Sequence, residues 1–286
     1  MGKSRIVDKM QAHVTNIALS HSVFALPFAY MGAFLAAGGR PGWAELGWIT
    51  LAMIGARSAA LALNNLIDLK YDKLHPRFTA RPMVKGTIKP WEAFSFILAS
   101  LSVFLWAAAQ LHPNCLLLSP LAILPFLLYP YMKRFSWTCH LVLGVALACA
   151  PVGAWLAIRG DMPWPVLILG GSVAAWIAAF DVIYGCQDTV FDQEHQLHSI
   201  PVRFGIPGAL RISRWMHGLS ILGLITVGLM LNLKGYYYLG VGLAAMVLCY
   251  QHHIVRPWDL SRVTQTYFMR NGLVSILMFL FTLVSL

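Results

Sequence analysis

Nine runs of mostly apolar residues, each about as long as a helix needs to cross a bilayer, govern what this chain can fold into. They lie at about 17–37, 44–66, 91–110, 114–132, 139–158, 164–187, 207–231, 236–254 and 268–286. A spanning helix needs roughly 20 such residues. Composition leaves no soluble alternative: 58% of the 286 residues are hydrophobic and only 11% are charged, against roughly 25% in an ordinary soluble domain. So few charges cannot cover that much apolar surface. The same figures exclude a disordered chain, a disulfide-rich secreted fold and a coiled coil. Cys115, Cys139, Cys149, Cys186 and Cys249 stand inside apolar stretches with no C-x-x-C pair, so they give no disulfide or zinc signal. The first run lacks a cleavable small-residue end and is read as a retained helix. Pro27, Pro120, Pro125 and Pro151 fall within runs and are expected at kinks, which membrane bundles tolerate. An eight-span alternative treats 91–132 as a re-entrant pair.

Charge placement tests the count. Seventeen of the 21 Lys and Arg residues fall on one side of a nine-span reading, Arg40, Arg159 and Lys234 on the other, and Arg57 inside the second span. Basic residues gather on the cytoplasmic side, so the fold expected is an all-α integral membrane bundle of nine spans with a cytoplasmic N-terminus. The net charge of +10 then reports orientation and contact with anionic lipid headgroups, not nucleic acid.

Six of the 11 acidic residues sit in two short windows. One runs from Asn64 and Asn65 through Asp68 to Asp72. The other runs from Asp181 through Tyr184, Gln187 and Asp188 to Asp192 and Glu194. Each closes an even-numbered span on the cytoplasmic side, and the separations 68 to 188 and 72 to 192 are equal. That spacing is read as an internal repeat, about 17–132 and 139–254, with a ninth helix appended, inside one domain covering 1–286. Residues four apart share a helix face, so Asn64, Asp68 and Asp72 form one stripe and Asp181, Tyr184, Asp188 and Asp192 another. Carboxylates at that spacing repel, and ionisable groups near lipid are costly. A divalent cation resolves both problems, and magnesium held by one or two carboxylates with phosphate oxygens is the usual arrangement. Asp68, Asp72, Asp188 and Asp192 are the candidate magnesium ligands, two ions flanking one diphosphate. Isolated solvated helix caps would not come as two matched sets.

Arg77, Arg81, Lys133, Arg134 and Arg203 surround the windows, and guanidinium and ammonium groups suit diphosphate oxygens. Arg57 lies seven residues before Asn64 on the same face, roughly 10 Å deeper. An intramembrane arginine is a functional hypothesis in itself, with pairing to a buried acid such as Asp181 as the structural alternative.

The first window, Asn64-Asn65-Leu-Ile-Asp68-Leu-Lys-Tyr-Asp72, resembles the first aspartate-rich motif of the UbiA superfamily of intramembrane aromatic prenyltransferases. The second is similar to that family's D-x-x-Y-x-x-Q-D-x-x-x-D. The likeness extends to His21-Ser-Val-Phe-Ala-Leu-Pro27-Phe, Gly55-Ala-Arg57-Ser, Arg81-Pro82, Tyr129-Pro130-Tyr-Met-Lys133-Arg134 and His198-Ser-Ile-Pro201. Asn65 departs from it, standing where many members carry an aspartate. The N-x-x-x-D-x-x-x-D form with His-Ser-Ile-Pro resembles a subgroup labelled 4-hydroxybenzoate polyprenyltransferase, some members of which are associated with menaquinone made by the futalosine route.

The resemblance implies nine helices around a cavity that is polar at its cytoplasmic mouth, apolar within and open sideways to membrane lipid. It implies a polyprenyl diphosphate donor, required Mg2+ and an aromatic acceptor, 4-hydroxybenzoate for a ubiquinone-type product or a dihydroxynaphthoate for menaquinone. In a bacterium the site would face the cytoplasm from the inner membrane. On that reading Asp68, Asp72, Asp188 and Asp192 draw charge from the departing diphosphate. Phe180, Tyr184 and Trp176 are candidates to shelter the allylic cation. Arg57 and Asn64 are candidates to hold the acceptor, Asp181 to take a proton from it, and Asn65, Gln187 and His198 complete the substrate set. His21 is read as a bundle hydrogen bond. Haem farnesyltransferase and chlorophyll synthase would have to admit a tetrapyrrole, for which no residue argues. A multi-spanning transporter is the competing non-enzyme class, but its sites lie near the midplane, whereas these acids cluster at one face.

Overall fold

The computed structural model describes Lys9, Ala12, His13, Thr15 and residues 25–286. Lys3, Arg5, His21 and the first half of the first predicted span lie outside the described residues. Among the described residues the regular structure is helical, with one isolated bridge between Arg256 and Asp259. The long helices are α1 (Leu26–Ala36), α2 (Trp43–Ile67), α3 (Pro90–Ala109), α4 (Pro113–Met132), α5 (Cys139–Arg159), α6 (Trp164–Gly185), α7 (Ile200–Met230), α8 (Gly235–Ile254) and α9 (Val263–Ser285). Residues 91–132 thus form two separate helices, each long and apolar enough to cross a membrane.

Six of these, α2 to α7, are long and apolar enough to cross a membrane, and the chain is an integral membrane protein. The described parts of α1 and α9 are apolar but shorter. α8 is diluted by Tyr236, Tyr237 and Tyr238 at one end and by Gln251, His252 and His253 at the other. Burial separates the central helix from the rim: 67% of the apolar window of α6 is buried, against 17% of that of α4. On α4 the exposed leucines Leu117, Leu121, Leu124 and Leu128 fall on one stripe, as a lipid-facing surface requires. Exposed Trp43, Trp91 and Trp164 stand in the first turns of α2, α3 and α6, the headgroup level at which indole rings settle.

α6 packs between α5 and α7, with α1 against α5, α2 against α3, and α8 against α9. Trp176 and Ile177 of α6 centre the main core, which Phe28, Met31, Tyr237 and Met278 complete. The opposite side of α6 faces an open chamber shared with α2 to α5.

Three of the four prolines expected inside helices are there: Pro120 and Pro125 in α4 and Pro151 in α5. Pro27 instead sits in the first turn of α1, where its missing N–H removes no helical bond. α7 begins at Ile200, earlier than its apolar run, because Ser199 caps it by accepting from Val202 N at 3.3 Å and Pro201 occupies the first turn. It breaks at Gly205, whose φ of 68° lies in the left-handed region, just before Pro207.

Small residues set the helix spacing. A methyl group at Gly55 would stand 2.7 Å from the Phe104 backbone nitrogen and 2.8 Å from the Ser100 carbonyl oxygen, both on α3, whereas one at Gly171 would meet nothing within 4 Å. Gly55→Ala should therefore destabilise the detergent-solubilised protein by about 1–3 kcal/mol, read as a lower thermal midpoint. Gly171→Ala should leave the midpoint level or raise it through helix propensity.

Candidate active site

Both aspartate windows leave a spanning helix at a break. α2 ends at Ile67, Asp68 caps it, and one further turn, Leu69–Asp72, carries Asp72. α6 ends at Gly185, a tight turn Cys186–Asp188 follows, and Thr189–Glu194 carries Asp192. The spacing predicts unbroken helices here; the short polar side chains, which favour helix ends over interiors, account for the departure. The stripes survive because backbone bonding runs on, Asp68 N donating to Asn64 O and Asp72 N to Asp68 O, each at 2.9 Å.

Asp68, Asp72, Asp188 and Asp192 line one small cavity of about 60 Å³. Each is matched to a cation. Arg81 pairs with Asp72 and Arg77 with Asp188. Lys133 Nζ lies 3.1 Å from Asp192 Oδ2, and Arg134 Nη2 lies 3.5 Å from Asp68 Oδ1 while also donating to Ile67 O at 2.8 Å. His75 adds a second neighbour to Asp188 at 3.2 Å. Burial makes these partners necessary: Asp192 is 2% exposed, and a buried carboxylate stripped of its partner is strongly destabilising. Even so, burial costs Asp68 and Asp72 more than their partners return. Beyond the end of α2, burial and then repulsion from Asp72 push the Asp68 carboxyl up to about 6. Burial raises the Asp72 carboxyl as well, against the pull of Arg81, and lowers the His75 imidazole. A further cation would relieve both carboxylates.

This mouth opens into a cavity of about 720 Å³. Asp68, Asp72 and Asp188 lie at its rim with Arg81 and Lys133; Arg57, Asn64, Asn65, Asp181 and Tyr184 line it further in, among apolar walls from Phe104, Phe126, Leu147, Ile177 and Phe180. The Asn64 Oδ1 atom is buried and has no hydrogen-bond partner among the described residues. Arg77 Nη2 donates to the Tyr184 hydroxyl at 2.8 Å, its guanidinium 4.9 Å from the ring centre. Asp181 is bonded to His140, a residue the sequence reading did not single out.

Four predicted residues stand elsewhere. Gln187 accepts from the Thr264 hydroxyl at 3.1 Å. His198 is exposed and its backbone is what reaches inward, the N–H donating to Lys133 O at 2.6 Å and the carbonyl accepting from the Cys139 thiol at 3.7 Å. Arg203 is exposed, its guanidinium over Trp137 and Phe204, because the cap at Ser199 starts α7 and carries Arg203 away from the mouth. Trp176 is a core residue, 1% exposed, whose Nε1–H donates to Asn271 Oδ1 at 3.2 Å. The histidines that were missed, His75 and His140, carry a usable signal. His140 lies in an apolar span, where any ionisable residue marks a candidate site, and His75 shares the loop of Arg77.

Residues 25–281 match the UbiA prenyltransferase family. The chain belongs to that family. It is therefore an enzyme of the prenyltransferase class. It is 29% identical over 258 residues to a 4-hydroxybenzoate octaprenyltransferase of Vibrio campbellii, covering 88% of each chain. It is 30% identical over 230 residues to one of Marinobacter nauticus, covering 79% of this chain and 77% of that one. A UbiA homolog from Aeropyrum pernix K1 without ligand has the same fold, with a TM-score of 0.84, 33% identity and coverage of 92% of this chain and 97% of that one. A UbiA homolog from Archaeoglobus fulgidus bound to GPP and Mg2+ is 22% identical with a TM-score of 0.77, covering 96% of this chain and 99% of that one, and shows likeness of fold.

The donor set of this UbiA-family site suits magnesium. It consists of carboxylate oxygens in two facing pairs, and among the described residues no three acids, histidines or cysteines close on a single point. An ion that draws part of its shell from a bound phosphate needs no closed cage.

The geometry separates two basic residues that the sequence treats alike. Lys133→Ala should lower prenyl transfer by about 10²-fold or more, because it unpairs Asp192 at the mouth. Arg203→Ala should leave the rate unchanged. Steady-state assays on the two variants check the contrast.

Proposed function

We propose that this enzyme transfers a polyprenyl group from a polyprenyl diphosphate to the ring of 4-hydroxybenzoate, in quinone biosynthesis of the ubiquinone type. One observation carries the reading: four carboxylates on two facing helix ends, each with its own cation, crown a largely apolar chamber of about 720 Å³. Support for the acceptor comes from what the relatives are named, and for donor and metal from the Archaeoglobus homolog bound to GPP and Mg2+. In the same reading all nine helices span the bilayer, the N-terminus is cytoplasmic, and the site faces the cytoplasm from the inner membrane of a bacterium.

Asp68, Asp72, Asp188 and Asp192 hold the divalent ions. When bound, magnesium supplies positive charge where the diphosphate departs. Arg77, Arg81, Lys133 and Arg134 exchange their carboxylate partners for diphosphate oxygens. The apolar walls keep water from the allylic cation, and Phe180 and Tyr184 offer it ring faces. Arg57 binds the acceptor's carboxylate and Asn64, with its unpartnered oxygen, orients the phenol; Asn65 supports it from the same wall.

The test is transfer from geranyl diphosphate by the purified protein in lipid nanodiscs, with 4-hydroxybenzoate and a dihydroxynaphthoate offered separately. Prenylated 4-hydroxybenzoate should form, cease with a chelator and return with magnesium. Product from the naphthoate alone would move the enzyme to menaquinone synthesis, and release of diphosphate with no ring product would overturn the reading. Arg57→Ala should raise the KM for the acceptor by about tenfold or more with little change for the donor; equal effects would remove Arg57 from the acceptor site.

A further inference from the structure

In the cavity wall, in the first turn of α5, His140 Nδ1 lies 2.6 Å from Asp181 Oδ2 of α6. The two differ in access. The His140 side chain is 1% exposed, while that of Asp181 keeps 15%, and both line the chamber. An ionised carboxylate only accepts, so the bond is His140 Nδ1–H donating to Oδ2, and the second carboxylate oxygen is left for the chamber. The imidazole also has a built seat. A side chain at Gly185, one turn beyond Asp181, would place its Cβ 3.0 Å from His140 Cε1, so the glycine lets the ring lie close against α6 without crowding.

We propose that His140 is a positioning residue for Asp181, fixing one carboxylate oxygen so that the other accepts the proton released by the acceptor ring. This rests on the aromatic acceptor proposed above. Ring substitution proceeds as a balanced sequence. The allylic C–O bond breaks with its electron pair on the diphosphate, and a ring π pair forms the new C–C bond. The C–H pair then returns to the ring as the proton passes to Asp181. Some base must sit at ring depth. Of the described acids that line the chamber, Asp68, Asp72 and Asp188 stand at the mouth, each against an arginine. Asp181 lies seven residues before Asp188, inside α6 and ahead of the break after Gly185, about 10 Å deeper, which leaves room between them for the allylic carbon and one aromatic ring. The His140 N–H stabilises the anion and aims it, the work a buried partner does for a base in other proton-transfer sites.

The test uses 4-hydroxybenzoate deuterated at the ring carbons beside the hydroxyl, in the nanodisc assay. Wild type should show no appreciable isotope effect, since C–O ionisation limits the rate. His140→Ala should slow transfer by about 10²-fold, bring out a primary isotope effect and leave the donor KM unchanged. His140→Asn, whose amide N–H replaces Nδ1–H, should restore most of the rate and suppress the isotope effect. Asp181→Asn, which leaves His140 in place, should show the isotope effect as well. A slowed His140→Ala with no isotope effect, or Asn no better than Ala, would reduce His140 to a structural residue and overturn the proposal. Wild type that prenylates no aromatic ring would overturn the functional reading and this proposal with it.

Discussion

Four carboxylates held at the mouth of an apolar chamber must each be neutralised, and the answer to that demand organises this end of the molecule. Two arginines from the loop after the first window and a Lys-Arg pair at the end of α4 are each assigned to one aspartate. Desolvation raises the cost of every unpaired charge, so the pairs tie the loop after α2 to α6 and α4 to the turn that follows α6. These pairings are also the ones a diphosphate would disturb, since its oxygens compete for the same guanidinium and ammonium groups.

The helices supply the rest by ordinary means. α6 is buried on nearly all sides and passes through the middle of the bundle, packed on its core side by Trp176 and open to the chamber on the other through Ile177, Phe180, Asp181 and Tyr184. α4 turns leucines to lipid and closes the chamber with Phe126. Both aspartate windows begin where a spanning helix stops, so their carboxylates stand at the membrane surface while Arg57 and Asp181 remain at depth. One helix pair thereby presents a polar rim and a deeper pair of ionisable residues with apolar wall between them.

Much of this was legible in the residues. The apolar runs gave the helices, and the equal spacing of the two windows gave the facing carboxylates, because both signals are periodic and local. What was hidden depended on tertiary approach. His140 reads as one more residue of an apolar span until α5 and α6 are packed and Gly185 makes room for its ring. Arg203 looks as close to its window as Arg81 does to the other, yet the Ser199 cap begins α7 and carries it to the surface. Trp176 and Phe180 are four residues apart and share a face by spacing, but the first is sealed by Phe28 and Asn271 while the second reaches the chamber. Gln187 lies between two site residues and turns to α9 instead. Side-chain direction at a helix break is set by the turn that follows, which a periodicity rule does not contain.

The central claim is that the two carboxylate sets act on one diphosphate through shared divalent ions, and a double-mutant cycle addresses it most directly. Magnesium-dependent affinity for a non-reactive prenyl thiodiphosphate would be measured for wild type, Asp72→Asn, Asp192→Asn and the double variant. One shared ligand predicts strongly non-additive losses, with the second substitution costing little once the first is made. Additive losses would mean that the two sets bind independently, and would contradict the account.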